Sequence, residues 1–248
     1  MRRIRAAWRL LRVLLHVLHG VSIALTSFRA LSRDERHRLV RWWAGKMLRV
    51  AGVGFEGEGQ PWPGGALLVA NHVSWLDIVA IHALCPQARF VSKADVKHWP
   101  LLHRLTEAAD SLYLERERKR DALRVVHQMA EALRAGDTVA VFPEGTTGEG
   151  RTLLPFHANL LQASIATGTP VQPVALRYRD RRDDFSKAVA YVGDTTLVQS
   201  LWWVASAEDL RVHVQFLAPQ ASAHADRRAL AEQLRAEIDA ALKTPPVA

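Results

Sequence analysis

Two short runs do most to constrain how this chain folds. Ala66–Ala70 reads ALLVA and Thr138–Phe142 reads TVAVF, and each opens directly into a polar turn. A segment this short without polar alternation has no face to offer to solvent, so both read as buried strands. Further strand candidates are Arg89–Ser92, Ser111–Leu114, Val171–Leu176, Ala188–Val192 and Arg211–Phe216, separated by helical patterns at Leu76–Leu84, Asp121–Arg134, Asn159–Thr167 and Arg227–Leu242. In Asp121–Arg134 the residues Ala122, Val125, Val126, Met129, Ala130 and Leu133 share one face, with Asp121 placed to cap and Gly136 just past the end. Strands alternating with helices predict an α/β fold with a mixed, largely parallel sheet flanked by helices. Pro173 cannot donate to a ladder, which puts its strand at an edge or makes it irregular there.

Charge divides the chain in two. Residues 1–49 hold 12 of the 33 lysines and arginines against two acids, Asp34 and Glu35, a balance of +10 in a chain whose total is +8. The remainder is therefore at −2, which argues against nucleic acid as a partner, because that function needs basic and aromatic residues interleaved on the globular body. Within the basic segment, Val13–Phe28 is a 16-residue run without Lys, Arg, Asp or Glu. As a helix it is about 24 Å long, short of the roughly 30 Å hydrocarbon core. Residues 33–52 form a second helical pattern in which Trp42 and Trp43 lie among Arg36, Arg38, Arg41, Lys46 and Arg49, a composition suited to the headgroup layer. A cleaved signal peptide lacks a clear small-x-small site here, and a helical pair packed on the body competes. The reading adopted is a membrane-associated helical hairpin, residues 1–53, ahead of an α/β domain, residues 54–248. Each base near an anionic membrane surface contributes about 1 kcal/mol, and the excess of bases predicts the cytoplasmic face of the inner membrane.

Three polar clusters sit at predicted strand ends, where α/β folds place ligands. Asn71-His72-Val73-Ser74-Trp75-Leu76-Asp77 follows ALLVA. An ideal helix sets residues five apart about 140° from each other. His72 and Asp77 can therefore pair only if His72 lies in the turn and Asp77 in the first helical turn; the carboxylate then holds one ring nitrogen protonated and leaves the other as a base. A capping turn with a core histidine is the plainer alternative. Phe142-Pro143-Glu144-Gly145-Thr146-Thr147-Gly148 follows TVAVF, with Pro143 ending the ladder, Gly145 and Gly148 freeing the backbone, and Glu144 able to accept a substrate hydroxyl; alone it reads as a turn. In the charged run Glu115–Arg120, Arg116 is nearest its strand and suited to clamp a phosphate, and Lys93 is a second phosphate candidate. His157 and His213 read as structural, no HExxH or GxSxG motif occurs, and the single cysteine, Cys85, reads as a buried thiol. No metal site is expected.

Together and in this order, the clusters resemble the lysophospholipid/glycerolipid acyltransferase family, which includes the bacterial 1-acylglycerol-3-phosphate acyltransferases. Asn71, His72 and Asp77 match its first block, Phe142–Thr146 its third without a substitution, and Val171, Gln172, Pro173 and Val174 its fourth. The second block is looser: Asp110, Tyr113 and Leu114 replace the usual Gly, Phe and Ile, and Arg116 holds. Thr147 stands where many members carry arginine. The resemblance covers Leu67 to Leu176 and implies an enzyme of phospholipid biosynthesis. His72, oriented by Asp77, would take the proton of a lysophospholipid hydroxyl as it attacks acyl-CoA or acyl carrier protein, with no cofactor. Phe142, Glu144, Gly145 and Thr146 would shape the acceptor site, with Arg116 and Lys93 neutralising phosphate. The implied acceptor is lysophosphatidic acid; the alternatives are another acceptor, such as a lyso-ornithine lipid, or a non-catalytic membrane-surface binding protein.

Overall fold

The computed structural model describes residues 1–93, 104–105, 112–114 and 119–244. The helices are α1 (Arg2–Thr26), α2 (Arg33–Ala51), α3 (Leu76–Leu84), α4 (Lys119–Arg134), α5 (Gln162–Thr167), α6 (Leu197–Ser206) and α7 (Arg227–Lys243). The strands are β1 (Gly54–Glu58), β2 (Leu67–Ala70), β3 (Ala88–Lys93), β4 (Leu112–Leu114), β5 (Thr138–Val141), β6 (Val171–Arg179) and β7 (Arg211–Phe216). Among the described residues they make one sheet in the order β1-β7-β6-β2-β5-β3-β4. Every pairing is parallel except β6 with β7. The sheet is therefore mixed and largely parallel, as the alternation predicts.

The two apolar runs become the neighbouring strands β2 and β5 at its centre, buried along their whole length. Successive residues alternate between two cores. Leu68, Ala70 and Ala140 face a layer built from α2 and α3, including Leu48, Leu76 and Ile81. Leu67, Val69, Val139 and Val141 face α4 and α7, including Met129, Leu234 and Ile238. Burial of each of the valine, leucine, isoleucine and methionine side chains among these contributes roughly 1.5–3 kcal/mol. With both faces covered, the ends of the strands are where functional groups can meet solvent, and the polar turns after β2 and β5 stand at the carboxyl end.

Pro173 departs from expectation, because β6 is internal, between β7 and β2. Its ring removes one donor from the antiparallel ladder opposite Leu217. The Leu217 N–H still donates to the Pro173 carbonyl at 3.0 Å, and the Leu217 carbonyl accepts instead from Nε2 of buried Gln172 at 3.0 Å. The neighbouring side chain thus replaces the missing backbone donor, which is how proline is accommodated away from an edge.

Ala188–Val192 is not a strand. It is a turn and loop across the strand ends, with Val189 fully buried and the Tyr191 N–H donating to the Val73 carbonyl at 3.1 Å. Asn159–Thr167 divides into a 3₁₀ turn, Ala158–Leu161, and α5. Helix α4 begins at Lys119, so Asp121 lies in its first turn and does not precede it. Strand β1 and helix α6 go unpredicted by apolar patterning.

Helix α1 starts well before Val13 and runs for 25 residues, long and apolar enough to cross a membrane by length and composition. It packs against α2 and α6. His16 is buried and stacks on Trp43 of α2 at 5.2 Å between ring centroids. Arg9 donates from Nη1 to the carbonyls of Ala205 and Ala207 at 3.1 and 2.9 Å, satisfying the end of α6. The opposite face of α1 exposes Ile4, Trp8, Leu11, Leu15 and Leu18.

Candidate active site

The site begins where β2 runs out. Asn71 is fully buried and continues the sheet with its side chain: Nδ2 donates to the Leu176 carbonyl at 3.0 Å and Oδ1 accepts from the Leu176 N–H at 2.7 Å. That bracket to β6 lets the chain leave the ladder at His72 without orphaned backbone groups. His72 lies in the turn and Asp77 in the first turn of α3, the arrangement their spacing requires for contact.

His72 Nδ1 is 2.8 Å from Asp77 Oδ2. The same oxygen accepts from the N–H groups of Val73 and Ser74 at 2.7 and 2.9 Å, and Oδ1 accepts from the Tyr178 hydroxyl at 2.7 Å. Four donors converge on one fully buried carboxylate. A carboxylate in that position can only accept, so Nδ1 carries the proton and the lone pair is left on Nε2. Burial, followed by the neighbouring Asp77 charge, pushes the Tyr178 hydroxyl well above its ordinary range, keeping it a donor.

The second predicted cluster closes over the first. The Phe142 ring stacks on the His72 imidazole at 4.0 Å and 9°, and Phe90 continues the stack at 5.7 Å. An aromatic face against the ring fixes its plane. Glu144 is buried, and its two oxygens accept from the N–H groups of His72 and Leu154 at 2.7 and 2.8 Å. Burial raises its carboxyl above the usual range against the lowering effect of those two bonds. The Gly148 N–H returns to the His72 carbonyl at 2.7 Å. Gly145 has φ +71°, and a β-carbon there would crowd the ring of His157 at 3.0 Å. Thr146 is exposed on the turn, and Thr147 donates its hydroxyl to the Tyr191 carbonyl.

The structure thus brings together His72, Asp77, Phe142, Glu144 and the Gly145–Thr146 turn. Arg116 lies outside the described residues, and Lys93 ends β3 with its side chain also outside them. Sequence reasoning does not reach Tyr178, whose only signal is a lone hydroxyl at the end of an apolar strand, or Tyr191, which lies in a segment whose pattern predicts a strand. His157 is exposed and lies against the turn, while His213 pairs with Glu58 at 3.3 Å. Cys85 is buried, and burial pushes its thiol up to about 12. Among the described residues no three His, Cys, Asp or Glu side chains are grouped as a metal site needs.

A general family model described as Acyltransferase matches residues 52–177, which spans the sheet from the end of α2 to β6 and contains every residue of the site just described except Tyr178 and Tyr191. The chain belongs to the acyltransferase family. Among its relatives, a lyso-ornithine lipid O-acyltransferase of Pseudomonas aeruginosa is 40% identical over 212 residues, covering 84% of this chain and 79% of that one. A 1-acyl-sn-glycerol-3-phosphate acyltransferase of Neisseria meningitidis serogroup B is 35% identical over 211 residues, covering 84% and 82%. Among solved structures, the 1-acyl-sn-glycerophosphate acyltransferase PlsC from Thermotoga maritima superposes with a TM-score of 0.72 over 98% of this chain and 97% of that one, at 18% identity. That match extends the shared fold of this acyltransferase over the N-terminal helices as well as the sheet.

Proposed function

We propose that this acyltransferase moves a fatty acyl group from an acyl thioester, acyl-CoA or acyl carrier protein, to the free hydroxyl of a lysophospholipid, with lysophosphatidic acid as acceptor and phosphatidic acid as product. The observation that carries the reading is the His72–Asp77 pair with its four converging donors, 2.8 Å apart at the carboxyl end of a central strand. Nε2 of His72 takes the hydroxyl proton as the oxygen attacks the thioester carbonyl. The new C–O bond gives a tetrahedral oxyanion, the C–S bond breaks, and the thiolate leaves with the proton held by His72. General base catalysis of this kind contributes about 10² to 10⁴ in rate.

The oxyanion needs a donor, and several nearby backbone amides are already occupied. Those of His72, Val73 and Ser74 donate to carboxylates, and those of Gly145 and Gly148 donate to carbonyls. Phe142, Glu144, Gly145 and Thr146 form the wall of the acceptor site in this reading, and Lys93 and Arg116 neutralise its phosphate. No cofactor beyond the acyl donor is required. The basic segment and the exposed apolar face of α1 suit attachment of residues 1–53 to the cytoplasmic face of the inner membrane, where acceptor and product reside, with 54–248 as the catalytic domain.

A lyso-ornithine lipid is the second acceptor to test, favoured by the name of the Pseudomonas relative and by Thr147, whose hydroxyl bonds to the Tyr191 carbonyl where many family members carry arginine. Purified enzyme given labelled acyl donor and a panel of lysophosphatidic acid, lyso-ornithine lipid and glycerol 3-phosphate decides between them. Transfer to lysophosphatidic acid at the highest kcat/KM supports the proposal, preference for lyso-ornithine lipid replaces the acceptor, and no transfer to any lysolipid overturns it.

A further inference from the structure

We propose that a cleft at the amino ends of the strands, remote in the fold from the carboxyl-end site of His72, binds the phosphate of an anionic phospholipid. It has a volume of about 500 Å³ and lies between the start of α2 and the starts of β3 and β5. Arg33, Arg36, His37 and Arg89 line it, with Asp137 as the acid among its described lining residues. Asp137 bridges Arg33 and Arg89, the latter at 2.6 Å. Arg36 donates from Nε to the Phe28 carbonyl at 3.1 Å. Two guanidinium groups thus pair with one carboxylate and a third lines the same cleft, an excess of positive charge whose planar donors match phosphate oxygens.

A second observation turns this from an anion cleft into a lipid cleft. Phe28 and Val40 line the basic cleft and also line an adjacent apolar cleft between α1 and α2, with Ile23, Ala24 and Trp43. Gly20 lies at its far end, where a β-carbon would collide with the Trp43 indole. A cationic recess that shares a wall with an apolar groove suits an amphiphile with a phosphate head and an acyl chain. A free phosphate would use the first part and leave the second bare. Binding here does not depend on the acyl-transfer reading, because it uses none of the groups around His72.

Calorimetric titration of the full chain with a soluble short-chain phosphatidylglycerol, and separately with inorganic phosphate, tests this. The expected result is lipid binding at least about tenfold tighter than phosphate, weakened about tenfold or more in Arg33→Gln/Arg36→Gln as two charge-assisted contacts are lost. Arg33→Gln alone removes a largely exposed side chain and should give a smaller loss in the same direction in a folded protein. If the lipid also occupies the catalytic site, the double variant should lose one of two binding events. Phosphate binding as tightly as the lipid overturns the lipid assignment in favour of a free anion, and unchanged affinity and stoichiometry in both variants overturns the site.

Discussion

Tyr178 donates its hydroxyl to Oδ1 of Asp77 at 2.7 Å across 101 residues of chain, linking the end of β6 to the first turn of α3. Both groups are almost or fully shielded from water. Tyr178→Phe therefore leaves one oxygen of a buried carboxylate without its donor, at a cost of about 1–3 kcal/mol. Chemical denaturation should register that loss while the sheet survives. The rate of acyl transfer should fall by less than it does when His72 itself is removed, because Nδ1 keeps its partner.

Removing the base or its partner should sharply reduce turnover without unfolding the domain. His72→Ala is expected to lower kcat by about 10² to 10⁴, and because its imidazole is partly exposed the fold should be retained. In Asp77→Asn one acceptor oxygen becomes an NH₂ among four donors, so the imidazole loses the carboxylate that fixes its tautomer. A fall in kcat of at least similar size is expected. Circular dichroism beside a single-turnover assay separates loss of chemistry from loss of fold; near-normal turnover in His72→Ala would remove the proposed base.

The central strands and the His72–Asp77 contact were legible because local rules generate them. Unbroken apolar runs give β2 and β5, and a turn followed by a helix start gives the only geometry in which residues five apart can meet. Tyr178 was not legible, since a contact made across 101 residues leaves no spacing to read. Strand β1 was hidden because GFEGE is an edge strand, held by pairs such as Glu56 with Arg211 at 2.8 Å, not by apolar alternation. Helix α6 carries a local sign that apolar patterning passes over: Thr196 and Gln199 form a capping box at its start. Pro173 misled because the rule about edges assumes no substitute donor, and Gln172 supplies one.

Glu144 should make stability depend on pH in a defined direction. Burial raises its carboxyl in the folded state, so the native protein binds this proton more tightly than the unfolded chain does. Its contribution to stability is fully present below the unfolded value near 4.5 and declines as pH rises through the raised folded value. The stability difference between wild type and Glu144→Gln should therefore be largest in acid and shrink toward neutrality. Parallel urea titrations across that window check the sign, and a difference that grows with pH would contradict the burial argument.

Gln172→Leu should cost more than its similar size suggests. Nε2 of Gln172 serves the carbonyls of Gln60 and Leu217, both at 3.0 Å, and Oε1 accepts from the Trp62 N–H at 2.8 Å. Leucine at this position leaves the Leu217 carbonyl facing the proline ring with no donor. A carbonyl left unpaired inside the protein costs about 1–3 kcal/mol, toward the lower end for this partly buried group. Pro173→Ala restores a backbone N–H opposite Leu217, so it should recover part of the loss in the Gln172→Leu background and contribute less on its own. A double-mutant cycle by denaturant unfolding measures that coupling, and additive effects of the two substitutions would show that Gln172 does not stand in for the missing donor.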